Sequence, residues 1–375
     1  MKHREEIDQI VKQKAMAVCD GAPVLGGHNG PYYDFELPIR NTSHWACIFS
    51  KYYEITGNVL YHSAVEKLAE EFIKTENLID GQSCACRIKC GKDKTNGVMG
   101  QAWVIEGLLA CAKTLNNDLF YNKAVTLFKV QRFDTKYGLW SVIETDGRDF
   151  GFDITFNHQL WFAAAGSEII AYKYDEEIDE QIKKFLECAK DFLYVHSNGL
   201  IFHFLKYTPK IRSWRWFWKT YWGAEQGLKN GKPSLVYKEE GYHLFSVYAF
   251  AILFETYGEN DFFQMEKVKS AIKYAFDEDF LMRLSNTDCL LDNTHICKTT
   301  DKMVNAYGYP YNSPAFELPY ISQVFGENGN HDKLIDFLMD EQFRITYNES
   351  EGRFSKNTED VETLNARLYE LVKAF

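Results

Sequence analysis

The chain has 375 residues, 46% of them hydrophobic and 16% aromatic, and a formal net charge of −11. Neutralising phosphates needs a basic face, so this balance excludes an electrostatic nucleic-acid binder. The opening MKHREEIDQIVKQKAM carries no signal-type apolar run, and no stretch of about 18 uninterrupted apolar residues follows, so no integral membrane segment is expected. Nine scattered cysteines read as reduced thiols in a cytoplasmic protein.

A helix over residues 4–19 comes first. Asn41-Thr-Ser-His44-Trp45 then opens an apolar run that stops at Ile55-Thr-Gly57, giving a helix over Asn41–Glu54 and a second over Val59–Lys74. Cys84, Cys86 and Cys90 follow, but C-x-C-x3-C matches no common zinc pattern, and neither a metal nor another cofactor is expected. Gly100-Gln101-Ala102-Trp103 opens the next pair, Gln101–Thr114 and Leu119–Phe128, joined by Leu115-Asn-Asn-Asp. A strand-like Gly138–Glu144 precedes the third opening, Phe156-Asn157-His158-Gln159-Leu160-Trp161. Trp45, Trp103 and Trp161 stand 58 residues apart each time, a countable repeat.

Leu200–Phe204 is again strand-like. Residues 212–222 hold four of the eight tryptophans, and no helical or strand face buries so many rings. The segment reads as a lid stacking on sugar, with Arg212 or Arg215 facing a carboxylate beside Trp216; a membrane or partner interface and plain packing stay open. Weaker repeat openings come at Glu240-Gly-Tyr242-His243 and Pro314-Ala-Phe316-Glu317, and a last helix over Val361–Ala374 is expected to pair with the first to close a ring. With few prolines and no linker composition, residues 1–375 read as one domain. The fold expected is all-α: an (α/α)6 barrel of six helical hairpins, with short β-hairpins at one mouth.

In such a ring the inner-helix N-termini crowd one mouth, where their dipoles suit anionic groups. That geometry selects Arg40, Asn41 and His44 with Trp45; Asp93, Asn96, Gln101 and Trp103; Asp153, Asn157, His158 and Trp161; Glu240 and His243; and Tyr309 and Glu317. Asp153, just before a helix, is placed either for proton transfer or as an N-cap. Glu240 with His243 forms a second acid/imidazole pair, and His44, His158 and His243 recur at three openings.

The strings PIRNTSHW, NGVMGQAW and FNHQLWFAAAGS resemble the six-hairpin glycosidase superfamily and, within it, the AglQ-like proteins of glycan-assembly clusters. Asp153-Ile-Thr-Phe-Asn157 and Met99-Gly-Gln-Ala-Trp103 resemble motifs of unsaturated glucuronyl and rhamnogalacturonyl hydrolases, with Met99 in place of an Arg and the two motifs in reverse order. N-acylglucosamine 2-epimerases share that fold and use histidine pairs, which His158 and His243 resemble. The resemblance implies a carbohydrate-active enzyme. The leading expectation is a hydrolase of a uronic-acid-containing glycan, with Asp153 as general acid/base, His158 and His243 polarising the sugar, and Arg40 or Arg215 holding its carboxylate. The alternatives are a sugar epimerase or isomerase using His158 and His243, and a non-catalytic glycan-binding protein. Whether the carbohydrate is lipid-linked or polymeric stays open, as does the oligomeric state.

Overall fold

The computed structural model describes residues 2–74, 78–79, 81–206, 219–220, 235–286, 304–326 and 331–375. Arg212, Arg215, Trp216 and the rest of the tryptophan-rich segment lie outside the described residues, apart from Lys219 and Thr220.

Among the described residues, six helices run as the inner layer: α2 (Ile39–Thr56), α4 (Gly97–Leu115), α6 (Phe156–Tyr172), α8 (Leu235–Tyr257), α12 (Pro314–Phe325) and the broken pair α14 (Val361–Ala366) and α15 (Leu368–Lys373). Each packs on the next, and α15 packs back on α2, so the ring closes. Around them lie α1 (Arg4–Cys19), α3 (Val59–Lys74), α5 (Asp118–Val130), α7 (Glu176–Phe192), the short α9 (Asp261–Gln264), α10 (Glu266–Tyr274), α11 (Glu278–Ser285), and α13 (Asp332–Thr346). This is the (α/α)6 barrel. The layer assignment follows from side-chain pattern. Every residue of α4 from Gly97 to Leu109 is buried, as a helix flanked on all sides requires. Outer α7 buries one stripe only, Ile178, Ile182, Phe185, Leu186 and Ala189, beneath a charged face.

Ring closure differs in one respect from expectation. α1 packs chiefly on α3 in the outer layer rather than pairing with the last helix, although the Arg4 guanidinium sits 3.6 Å over the Phe375 ring. The last inner helix breaks at Arg367, a residue turned into the barrel. The strands gather at the N-terminal mouth of the inner helices: β1 (Phe133–Asp134), β2 (Leu139–Ile143) and β3 (Asp149–Phe152) form one antiparallel sheet, and β4 (Tyr347–Asn348) pairs with β5 (Arg353–Phe354). Residues 200–204 form only isolated bridges, Val195 with Ile201 and Thr155 with Phe204. Among the described residues, no helix is long and apolar enough to cross a membrane.

Candidate functional site

A cavity of about 140 Å³ opens at that mouth. Its walls come from the starts of the inner helices and the loops that precede them. α4 contributes Met99 and Trp103, with Asn96 just before it. α6 contributes Asn157 and His158, with Thr155 before it, and α8 contributes Lys238, Tyr242 and Phe245. Tyr311 precedes α12, and Arg367 rises at the break between α14 and α15. Asn29, Tyr32, Asp34, Arg87, Lys92 and His203 complete it from loops.

The α4–α6 junction is built for close approach. Gly97 has φ +64°, and a Cβ there would lie 2.1 Å from Asp153 Oδ2 and 2.8 Å from His158 Nδ1, so only glycine lets α4 begin against that pair. Asp153 Oδ2 accepts from the backbone N–H of Val98 (3.3 Å), Oδ1 accepts from the N–H of Thr155 (3.1 Å), and Oδ2 is 2.8 Å from His158 Nδ1. Asp153 therefore lies behind His158 rather than in the pocket wall. With Nδ1 so engaged, Nε2 is the imidazole nitrogen left for the cavity.

His203 and Lys238 stand together beside this pair, 2.8 Å apart between Nε2 and Nζ. Burial drives the His203 pKa well below the usual histidine value, and the charges of Lys238 and His158 add to the drop. Burial is also the main reason that the Lys238 ammonium falls to about 7, opposed by Glu239 and helped by Lys92. Lys238 lies 5.1 Å from the Tyr32 ring centroid and 5.7 Å from that of Tyr242. The two tyrosine hydroxyls are 3.0 Å apart.

Four cationic side chains, Arg87, Lys92, Lys238 and Arg367, face one carboxylate, Asp34, among the described lining residues. Asp34 is buried and tied to Lys89 at 3.2 Å, to Lys92, and to Arg87 at 3.5 Å. Arg367 is also buried, paired with Glu370 and donating to Asn312, while its Nε has no partner among the described residues. Its guanidinium lies 4.9 Å from the Phe245 ring centroid. Cationic side chains, most of them held by carboxylates, thus share the wall with aromatic rings and neutral polar groups. That combination grips an anionic group and stacks on an apolar ring face.

Of the residues selected from sequence, Trp103, Asn157, His158 and Asn96 line the cavity. The others do not. Arg40 lies one layer below, stacked 3.8 Å over Trp103 and paired with Glu36 at 2.8 Å. His44 is fully buried, stacked 4.0 Å from Tyr369, with neither ring nitrogen bonded, and burial holds its pKa well below the usual value. Asn41 donates to Leu25 O, and Gln101 clamps the loop before α4 through Cys84 and Thr95. Asp93 likewise serves the loop, accepting from Arg87 and from Gly97 N. Trp45 packs on Phe49, and Trp161 stacks on Phe245 while donating to its carbonyl at 3.0 Å.

His243 is a core residue. Its Nε2 is 3.0 Å from Ala271 O, Tyr274 and Phe280 flank the ring, and burial lowers its pKa to about 3. Glu240 turns outward to Arg283 at 3.3 Å. Tyr309 is buried with no partner for its hydroxyl, and Glu317 sits 3.9 Å behind Arg367. Two residues separate Glu240 from Lys238 and Tyr309 from Tyr311, which do face the cavity. A readable signal existed for α8, since Lys238, Tyr242 and Phe245 share one face at i, i+4, i+7. The loop residues Tyr32, Asp34, Arg87 and Lys92 carry no such periodicity.

A closed ring of helical hairpins with its cavity at the inner-helix N-termini is an (α/α)6 barrel, a fold that solved sugar epimerases and glucuronyl hydrolases share. A sugar epimerase from a ruminal bacterium superposes with a TM-score of 0.60 at 12% identity, covering 98% of each chain. An unsaturated glucuronyl hydrolase from Bacillus sp. GL1 superposes with a TM-score of 0.59 at 13% identity, covering 98% of this chain and 94% of that one. At such identities the likeness is one of fold. No protein-family model matches the chain. The archaeal glycosylation protein Q of Haloferax volcanii is 31% identical over 356 residues, 92% of this chain and 90% of that protein. The chain belongs to the archaeal glycosylation protein Q family.

Proposed function

We propose that this protein is a carbohydrate-active enzyme of glycan assembly that binds a uronic-acid residue and moves a proton on it, as an epimerase or isomerase. The observation that carries this reading is the Asp153–His158 pair opening onto a cavity lined by Arg87, Lys92, Lys238 and Arg367. The cations suit a sugar carboxylate. His158, held by Asp153 at 2.8 Å and bordering the cavity, is placed for proton transfer.

In this scheme His158 Nε2 takes the proton from the carbon next to the carboxylate. The C–H electron pair passes into the carboxylate as an enolate, whose charge the neighbouring cations stabilise. Return of a proton from the other face, through Lys238 with His203 behind it, gives the epimer. Asp153 is a positioning residue here, which replaces the direct acid/base role expected for it.

Hydrolysis of the glycan is the second reading, favoured by the placement of Asp153 four residues before Asn157 at an inner-helix start. Uronides incubated with the protein in deuterated water and followed by NMR separate the two. Epimerisation puts deuterium on one ring carbon without cleavage; cleavage without ring deuterium selects hydrolysis. Unchanged turnover in His158→Gln would sink both assignments of His158.

A further inference from the structure

The cavity has a neighbour at the same mouth. A depression of about 570 Å³ lies beside it, bordered by Lys92, Asp93, Lys94, Glu144, Arg148 and Phe150. Two features join the spaces. Lys92 borders both, and Arg87 on the cavity side holds Asp93 on the other through a 2.5 Å ion pair.

The two spaces differ in chemistry. The described cavity lining holds four cationic side chains and one carboxylate; here Lys92, Lys94 and Arg148 are matched by Asp93, Glu144 and Asp146. Its floor is fixed, because Glu144 accepts from the backbone N–H of Lys94 and of Thr145, both at 2.8 Å. Phe150, on β3, leaves 50% of its surface in solvent, with the Arg148 guanidinium 5.4 Å from its ring centroid. An exposed ring held in place on a strand, among balanced donors and acceptors, suits a neutral polyhydroxylated ligand with one apolar face.

We infer that this depression is a second saccharide subsite, which takes the neutral sugar unit joined to the uronate, with Phe150 as its stacking platform. The inference rests on the uronate reading of the main cavity and makes the substrate at least two sugars long. Calorimetric titration of wild type and Phe150→Ala with methyl glucuronide and with glucuronyl disaccharides of 1→3 and 1→4 linkage tests it. Wild type should hold a disaccharide more tightly than the monosaccharide. Phe150→Ala should weaken the disaccharide roughly three- to tenfold, the scale of one stacked ring, and leave the monosaccharide unchanged. Phe150→Tyr should restore the disaccharide. Equal affinity of wild type for both lengths, or an equal loss for both in Phe150→Ala, overturns the subsite and leaves the uronate reading standing. Wild type that binds neither length overturns the uronate reading and the subsite with it.

Discussion

Lys238 shows how a single residue acquires a function that its type does not announce. A lysine in water is cationic at any physiological pH. Burial, against the pull of Glu239 and with Lys92 near, brings its ammonium to about 7. The sign of the consequence follows. Below that pH Lys238 is charged and attracts a uronate, whose own carboxylate stays anionic; above it the attraction fades. Uronide affinity should therefore fall as pH rises from 6 to 8. Lys238→Met should bind more weakly at pH 6 and flatten the profile, which titration at several pH values would show. Asp153 acts one bond further back. Asp153→Asn should lower turnover by roughly 10²-fold or more through the imidazole it orients, and it should alter the pH profile of turnover while leaving uronide affinity near wild type. A purely structural role would instead lower the melting temperature without moving that profile.

At the scale of elements, the meeting of α4 with α6 makes the site, and it depends on Gly97. Gly97→Ala sets a methyl group against the Asp153 carboxylate and the His158 ring in a backbone conformation that alanine resists. Turnover should drop at least as far as in Asp153→Asn, with a lower melting temperature as well. How much the sequence revealed follows the same division. The first three inner helices were legible because their openings recur every 58 residues, and the observed α12 begins and ends where Pro314 and Phe325-Gly place it. Which face of each helix meets the cavity was not, because one residue turns a helical side chain by about 100°. His243 is the clearest case: a histidine at an inner-helix opening became a neutral core residue against Tyr274 and Phe280. Its folded pKa of about 3 lies below the unfolded value near 6.5. The stability it contributes is present above pH 6.5 and is lost as pH falls toward 3. His243→Gln should accordingly move the midpoint of acid unfolding to lower pH, unless loss of the ring's packing lowers stability at every pH alike.

Across the whole molecule, the tryptophans repeated at 58-residue intervals do unequal work, and this separates scaffold from site. Trp161 is a wedge between α6 and α8. It is fully buried, stacks on Phe245 at 4.6 Å and on Tyr248 at 5.6 Å, and its indole N–H donates to a carbonyl of the neighbouring inner helix. Trp103, one repeat earlier on α4, borders the cavity and carries Arg40 on its face, and its indole N–H has no partner among the described residues. A buried donor without a partner is costly unless water or a ligand satisfies it, and Trp103 stands at the cavity wall. The same substitution should then read out differently at the two positions. Trp161→Phe loses a hydrogen bond and packing volume, about 1–3 kcal/mol, and should lower the melting temperature while leaving uronide affinity intact. Trp103→Phe removes no protein hydrogen bond and should cost less stability, yet weaken uronide binding several-fold. Thermal melts and titrations on the two variants give the comparison. If both lose stability and affinity in the same proportion, the repeat is scaffold throughout and Trp103 is no part of the site.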